Sequence, residues 1–187
     1  MNQHMKISIG WFLVLAVAGY LFMAVVVMGG GMKQLEQHAG GEIRIPDLSL
    51  FSNSTELESA FFAPLGADGR AYYRQFTLTA DTLYPLSYTL VLLLALIYLL
   101  RKSGKNGLWY LTLLLPILGL MADLLENHSI VQMLDRWPES HPGWFKTYQV
   151  AWVLKFSSVI LAFFSVVWLA IGYMSLLYRN PGATKSG

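Results

Sequence analysis

The chain contains no cysteine. That excludes disulfide scaffolds, thiol nucleophiles, iron–sulfur clusters and cysteine-ligated zinc, and it leaves the redox compartment unmarked. Charge is also scarce. Charged residues make up 13% of the chain, where soluble domains carry about 25%. The net charge of +2 is too small and too scattered for a nucleic-acid-binding surface. The sequence has no Gly-rich phosphate loop, no zincin helix motif, no Gly-x-Ser-x-Gly elbow and no internal repeat. An ordinary soluble enzyme is a poor fit.

Apolar residues fill the gap, at 55% of the chain and a mean hydropathy of +0.48. Four runs reach the length of about 20 residues that crosses a bilayer as a helix. They are residues 7–28, 83–100, 108–127 and 148–178. The first follows a short basic leader at Lys6, and Ala16-Val17-Ala18 mimics a cleavage site. Its apolar stretch nevertheless outruns the ~7–15 residues of a signal core, so it reads as a retained signal anchor. Gly10, Ala16, Ala18 and Gly19 are expected to serve close helix packing. The fold class expected is an all-α membrane protein, a four-transmembrane-helix bundle in a single domain over 1–187.

Short loops set the orientation. Arg101, Lys102 and Lys105 join the second and third runs without an acid, and the tail carries Arg179 and Lys185. The positive-inside rule then puts both termini in the cytoplasm, as for a multi-pass protein of the cell inner membrane. Tyr84, Trp137, Trp144, Tyr148 and Trp152 are expected to form the outer aromatic belt, and Tyr98, Trp109, Tyr110, Tyr173 and Tyr178 the inner one.

Residues 33–80 make the one stretch long enough for an extracytoplasmic cap, placed between helices 1 and 2. Gly29-Gly30-Gly31 and Gly40-Gly41 are expected to break the first helix. Glu42 to Pro46 alternates like a short strand, and Thr55 with Glu58 matches a capping box for a brief helix through Phe62. Ala67-Asp68-Gly69 signals a turn, and Tyr72 to Thr79 fits a second strand or a helical lead-in. Fewer than ~50 residues cannot build an independent core without staples, so the cap must lean on the helix tops or on a partner. It reads as a lid over a site or as a passive covering.

Ionisable residues inside spans are costly and mark candidate sites. Measured from the opposite ends of their runs at 1.5 Å per residue, Asp81, Asp123 and Glu126 all reach roughly 22–28 Å. Lys155 lies on the same side of the fourth run. Asp123, Glu126 and Asn127 share one helix face at i, i+3 and i+4; Asp81, Tyr84 and Tyr88 share another. Pro85 and Pro116 each free a backbone carbonyl four residues earlier, which a neighbouring polar group must satisfy. Burial and like charge favour protons held among these carboxyls, giving a proton donor near neutral pH.

The reading is a polar pocket near the outer leaflet that binds or transforms a lipid-like or amphipathic small molecule. Asp123, Glu126 and Lys155 are the candidate catalytic residues, and Asp81, Tyr84, Tyr88 and Asn127 would position the ligand. Membrane lipid is the expected surrounding partner. No cofactor or metal is expected, since Glu126 and the nearby His128 do not share a face. Two rivals stay open: a non-enzymatic subunit whose buried charges only fix helix packing, and a proton-linked homo-oligomer. Asp81 has its own plain reading as a helix N-cap, and Lys155 as a snorkelling side chain.

Three segments carry a resemblance: Asp81-Thr82-Leu83-Tyr84-Pro85-Leu86-Ser87-Tyr88, Asp123-Leu124-Leu125-Glu126-Asn127, and the late Lys155. Their pattern, Asp-x-x-aromatic-Pro-x-x-Tyr, Asp-x-x-Glu-Asn and a lysine in the last span, resembles an uncharacterised family of small four-span membrane proteins. The resemblance covers spans two to four and implies no particular activity. Claudin-like proteins are similar in architecture alone, since their cysteine pair is missing here. EXPERA-type proteins are similar only in placing acids in a four-helix cavity.

Overall fold

The computed structural model of the protein describes residues 3–179; Lys185, one of the charges used for orientation, lies outside them. The chain is helical almost throughout. In order, the helices are α1 (Gln3–Phe22), α2 (Gly29–Ala39), α3 (Ser54–Leu57), α4 (Gly66–Leu78), α5 (Ala80–Lys102), α6 (Leu114–Asp135) and α7 (Pro142–Arg179). Among the described residues four helical stretches are long and apolar enough to cross a membrane: Trp11–Ala39, Gly66–Lys102, Gly107–Asp135 and Pro142–Tyr178. This is an all-α four-helix bundle and a multi-pass membrane protein. Its surface fits that solvent. Trp11, Phe12 and Leu15 of α1, Leu118 and Met121 of α6, and Phe163, Phe164 and Trp168 of α7 are all exposed, which lipid tolerates and water does not.

The first helix is not broken at Gly29-Gly30-Gly31, though it does end at Gly40-Gly41 as expected. A π-turn, Met23–Met28, carries α1 directly into α2. The helix ends only at Gly40, whose φ of 72° is left-handed and costs glycine little. Gly31 of that run serves packing instead: a Cβ on it would lie 2.1 Å from Cε2 of Phe76 in α4. Gly69 in α4 returns the contact, since its Cβ would fall 2.8 Å from Cβ of His38. The close packing expected of Gly19 is absent, for a Cβ there meets nothing within 4 Å. Gly10 has no described surroundings.

The cap holds no strand among the described residues. Glu42 to Ile45 runs without regular structure into a 3₁₀ turn, Pro46–Leu48. Tyr72 to Leu78 belongs to the helical lead-in α4, with Thr79 as its C-cap, and Ala67-Asp68-Gly69 is its first turn rather than a loop. The brief helix does run through Phe62, as α3 and a π-turn. Its cap sits two residues earlier than the Thr55 motif, because Asn53 Oδ1 accepts from the Glu56 N–H at 2.8 Å. Glu56 in turn accepts from the N–H and hydroxyl of Ser52 at 2.8 and 2.6 Å. Those hydrogen bonds, with Arg44 alongside, hold the half-buried Glu56 carboxyl down at about 2.

The cap leans on the helix tops, as its size requires. Phe51, Leu57, Phe61 and Phe62 are fully buried against Leu35, Tyr73, Ile130, Met133, Phe145 and Tyr148. Residues assigned to the outer aromatic belt are therefore cap core. Tyr148 is fully buried, and Trp137, Trp144 and Trp152 pack partly buried against the same cluster. A shared hydrophobic core outcompetes the headgroup interface for these rings. At the other end Leu96, Leu99, Leu100 and Leu169 form a second apolar cluster.

Candidate functional site

Three helices and the cap converge on one ammonium. Lys155, on α7, places Nζ 2.5 Å from Glu126 Oε2, 3.0 Å from Asp47 Oδ1 and 3.6 Å from Asp123 Oδ1. Both acids of α6 project together because their i, i+3 spacing puts them on one face. Asp123, Glu126 and Lys155 are buried, Glu126 completely. Snorkelling is thus ruled out for Lys155, whose head points into protein. Tyr88 on α5 donates to the other Asp123 oxygen at 2.8 Å.

Asp47 is the member that sequence reasoning missed. It sits on the Pro46–Leu48 turn of the cap, and three side chains pin that turn by its backbone. The Tyr148 hydroxyl bonds the carbonyls of Pro46 at 3.0 Å and Ser49 at 2.9 Å. Trp152 Nε1 donates to the Asp47 carbonyl at 3.3 Å, and Gln149 Nε2 to that of Phe51 at 3.0 Å. Tyr148, Gln149 and Trp152 lie within little more than one turn of α7, so that helix end acts as a clamp. Burial pushes the Asp47 carboxyl up, but attraction to Lys155 and the hydrogen bond that Lys155 donates help to leave it lowered.

Tyr148→Phe is expected to release the clamp. Losing a buried hydroxyl that serves two carbonyls costs about 1–3 kcal/mol. Limited proteolysis in detergent should cut the variant faster than wild type within 42–53. Unchanged cleavage would mean the hydroxyl does not hold the turn.

Asp81 and Asn127 are buried beside the cluster in a supporting arrangement. Asp81 is not the N-cap of α5, since the helix starts at Ala80 after Thr79 and Asp81 lies in its first turn. Pro85 lacks the N–H that would bond the Asp81 carbonyl; Asn127 Nδ2 bonds that carbonyl instead at 3.0 Å. Asn127 thus repairs a proline defect, and its amide faces backbone. Pro116 lies just past the junction where a 3₁₀ turn, Gly107–Leu113, runs into α6. His128 is exposed and packs T-shaped against Trp144.

Asp47, Asp123 and Glu126 present oxygens close enough together to hold a metal ion. The Lys155 ammonium already contacts all three. The chain supplies its own cation at this centre.

Beside the cluster opens a cavity of about 810 Å³. Its polar end is formed by Asp47, Asp123 and Lys155, with Tyr20, Tyr84 and Tyr88 next to them. Tyr20 and Tyr84 stack with ring centroids 5.8 Å apart and hydroxyls 3.4 Å apart, so α1 contributes to the site after all. The rest of the wall is apolar. Met28, Val91, Leu92 and Val159 line it, and Phe163 and Phe164 carry it to the exposed surface of the bundle. Of the residues singled out from sequence, Asp123, Lys155, Tyr84 and Tyr88 line the cavity; Glu126, Asp81 and Asn127 stand behind its wall. No protein family, curated protein or solved structure matches this chain significantly.

Proposed function

We propose that this chain is an inner-membrane protein, both termini cytoplasmic, that binds a lipid-like or amphipathic small molecule in the cavity beside Lys155. The observation that carries this reading is the cavity's polarity: charges and phenols crowd one end, and hydrocarbon lines the rest. An amphiphile matches that division, with its head at Asp47, Asp123 and Lys155 and its chain along Val91, Leu92 and Phe163. The volume falls within the range of about 300–1,000 Å³ typical of ligand sites. Exposed Phe163 and Phe164 give a chain a way in from lipid. Binding is favoured over acid–base catalysis because Lys155 already contacts three carboxyls and offers no open electrophile.

The ion-pair contacts also favour a second role for the same residues. Lys155 joins a cap residue 108 positions away in sequence to two acids of α6, so the network fixes the cap on the bundle. Conduction is disfavoured by the leucine cluster at the opposite end.

Filling the cavity separates a ligand site from a purely structural network. Val91→Trp or Leu92→Trp puts an indole into the apolar half and leaves every charged residue in place. Co-purified amphiphile, quantified by mass spectrometry of the protein in mild detergent, should fall about tenfold or more, a change of ~1.4 kcal/mol or more in binding. Both variants should unfold near the wild-type temperature. Equal retention by wild type and both variants would refute ligand binding here and leave the structural role.

A further inference from the structure

The cavity's polar end is unbalanced, and the imbalance specifies a ligand class. Asp47 and Asp123 line it beside Lys155, Glu126 meets the same amine from behind the wall, and Asp81 is buried next to them. Asp81, Asp123 and Glu126 are more than nine-tenths buried, and Glu126 Oε1 has no hydrogen-bond partner among the described residues. The Lys155 ammonium already contacts three acids and donates a hydrogen bond to Asp47, and the Tyr88 hydroxyl is committed to Asp123. An anionic head entering here would find Lys155 already engaged and would face Asp47 and Asp123. A cationic head would find acceptors, and also ring faces. Tyr20, Tyr84, Tyr88 and Phe156 all line the same cavity, and aromatic faces attract cations within about 6 Å. Phe156 already shows this geometry, with Lys155 Nζ 5.3 Å from its centroid.

We infer that the cavity selects an amphiphile with a cationic head, a long-chain amine or quaternary ammonium, over anionic and neutral amphiphiles of the same chain length. The inference rests on the proposed ligand role of this cavity. In the bound state the head sits against Asp47 and Asp123, flanked by the tyrosines, and the chain runs past Val91 and Leu92 toward lipid. Asp47 and Asp123, the two carboxyls that line the cavity, disfavour a carboxylate or phosphate head and attract a cationic one.

The test uses three probes that share one chain: tetradecyltrimethylammonium, tetradecanol and tetradecanoate. Each is titrated onto the full chain in an uncharged maltoside detergent, and occupancy is read by native mass spectrometry against Val91→Trp as background. The ammonium probe should bind about tenfold more tightly than either other probe, a preference of ~1.4 kcal/mol. Asp123→Asn should reduce that preference to about threefold or less. The wild-type ranking alone decides the matter if that variant fails to fold. Equal binding of the alcohol and the ammonium would overturn charge selection, and tighter binding of tetradecanoate would reverse it; in both cases the cavity remains a ligand site. Binding of no probe above the Val91→Trp background would overturn the inference together with the reading beneath it.

Discussion

Lys155→Met is expected to cost about 3–5 kcal/mol of stability, the usual penalty for removing one partner of a buried charge pair. The size follows from what remains. Glu126, fully buried, loses the ammonium 2.5 Å away, and Asp47 and Asp123 lose their shared cation. Methionine fills similar space, so the loss is electrostatic rather than a packing defect. The double variant Lys155→Met, Glu126→Leu should recover part of it, since apolar pairs often replace buried ion pairs without penalty. Unfolding in detergent should show the double variant about 1–3 kcal/mol better than the sum of the two single losses. Additive losses would mean that the two side chains are not coupled.

Gly31→Ala is the second large effect, because one methyl group meets an aromatic ring. Its Cβ would stand 2.1, 2.5 and 2.9 Å from three atoms of Phe76. Phe76 is itself buried and lies over Tyr72 at 6.1 Å, so the ring has little room to retreat. Overpacking of this kind costs about 1–3 kcal/mol. Met28 and Met32, which flank Gly31 in sequence, line the cavity or its approach, so displacing α2 should also weaken amphiphile retention. Gly30→Ala supplies the control. A Cβ there meets nothing within 4 Å, and the better helix propensity of alanine should make the variant neutral or up to ~1 kcal/mol more stable. Thermal unfolding of the two variants checks both statements. Equal behaviour would show that the glycine run has no packing role.

The parts of the site that were readable in the sequence are those that helical geometry fixes. Asp123 and Glu126 share a face because they are three residues apart, and their common height with Lys155 follows from counting residues along spans. Tyr88 follows from Asp81 by the same arithmetic. Asp47 has no such arithmetic. It reaches Lys155 only because the Pro46–Leu48 turn is pinned by Tyr148 and Trp152, and a loop of that kind leaves no period in the sequence. The glycines misled for a related reason. A glycine run lowers helix propensity, yet α4 packs so closely on α2 that only glycine fits at Gly31, and tertiary contact overrides local preference. The tryptophans near Pro142 read as a membrane belt because sequence shows their amphipathic character without showing the cap core that claims them.

Asn127 shows how a motif residue can have a duty unlike the expected one. Its place beside Glu126 marks it as a ligand-positioning group, while its amide closes the carbonyl that Pro85 leaves open in a neighbouring helix. Aspartate would offer no donor there. The pairing of Pro85 in α5 with Asn127 in α6 therefore satisfies backbone inside a low-dielectric bundle.

The contacts of the Lys155 amine test the account most directly. Magic-angle-spinning NMR on the chain in lipid bilayers, with ¹⁵N-labelled lysine and ¹³C-labelled Asp and Glu carboxyls, reads which acids surround that nitrogen. Dipolar contacts from Lys155 Nζ to the carboxyl carbons of Asp47, Asp123 and Glu126 are the predicted result. A Lys155 amine with no carboxyl neighbour, or one in contact with phospholipid phosphate, would contradict it.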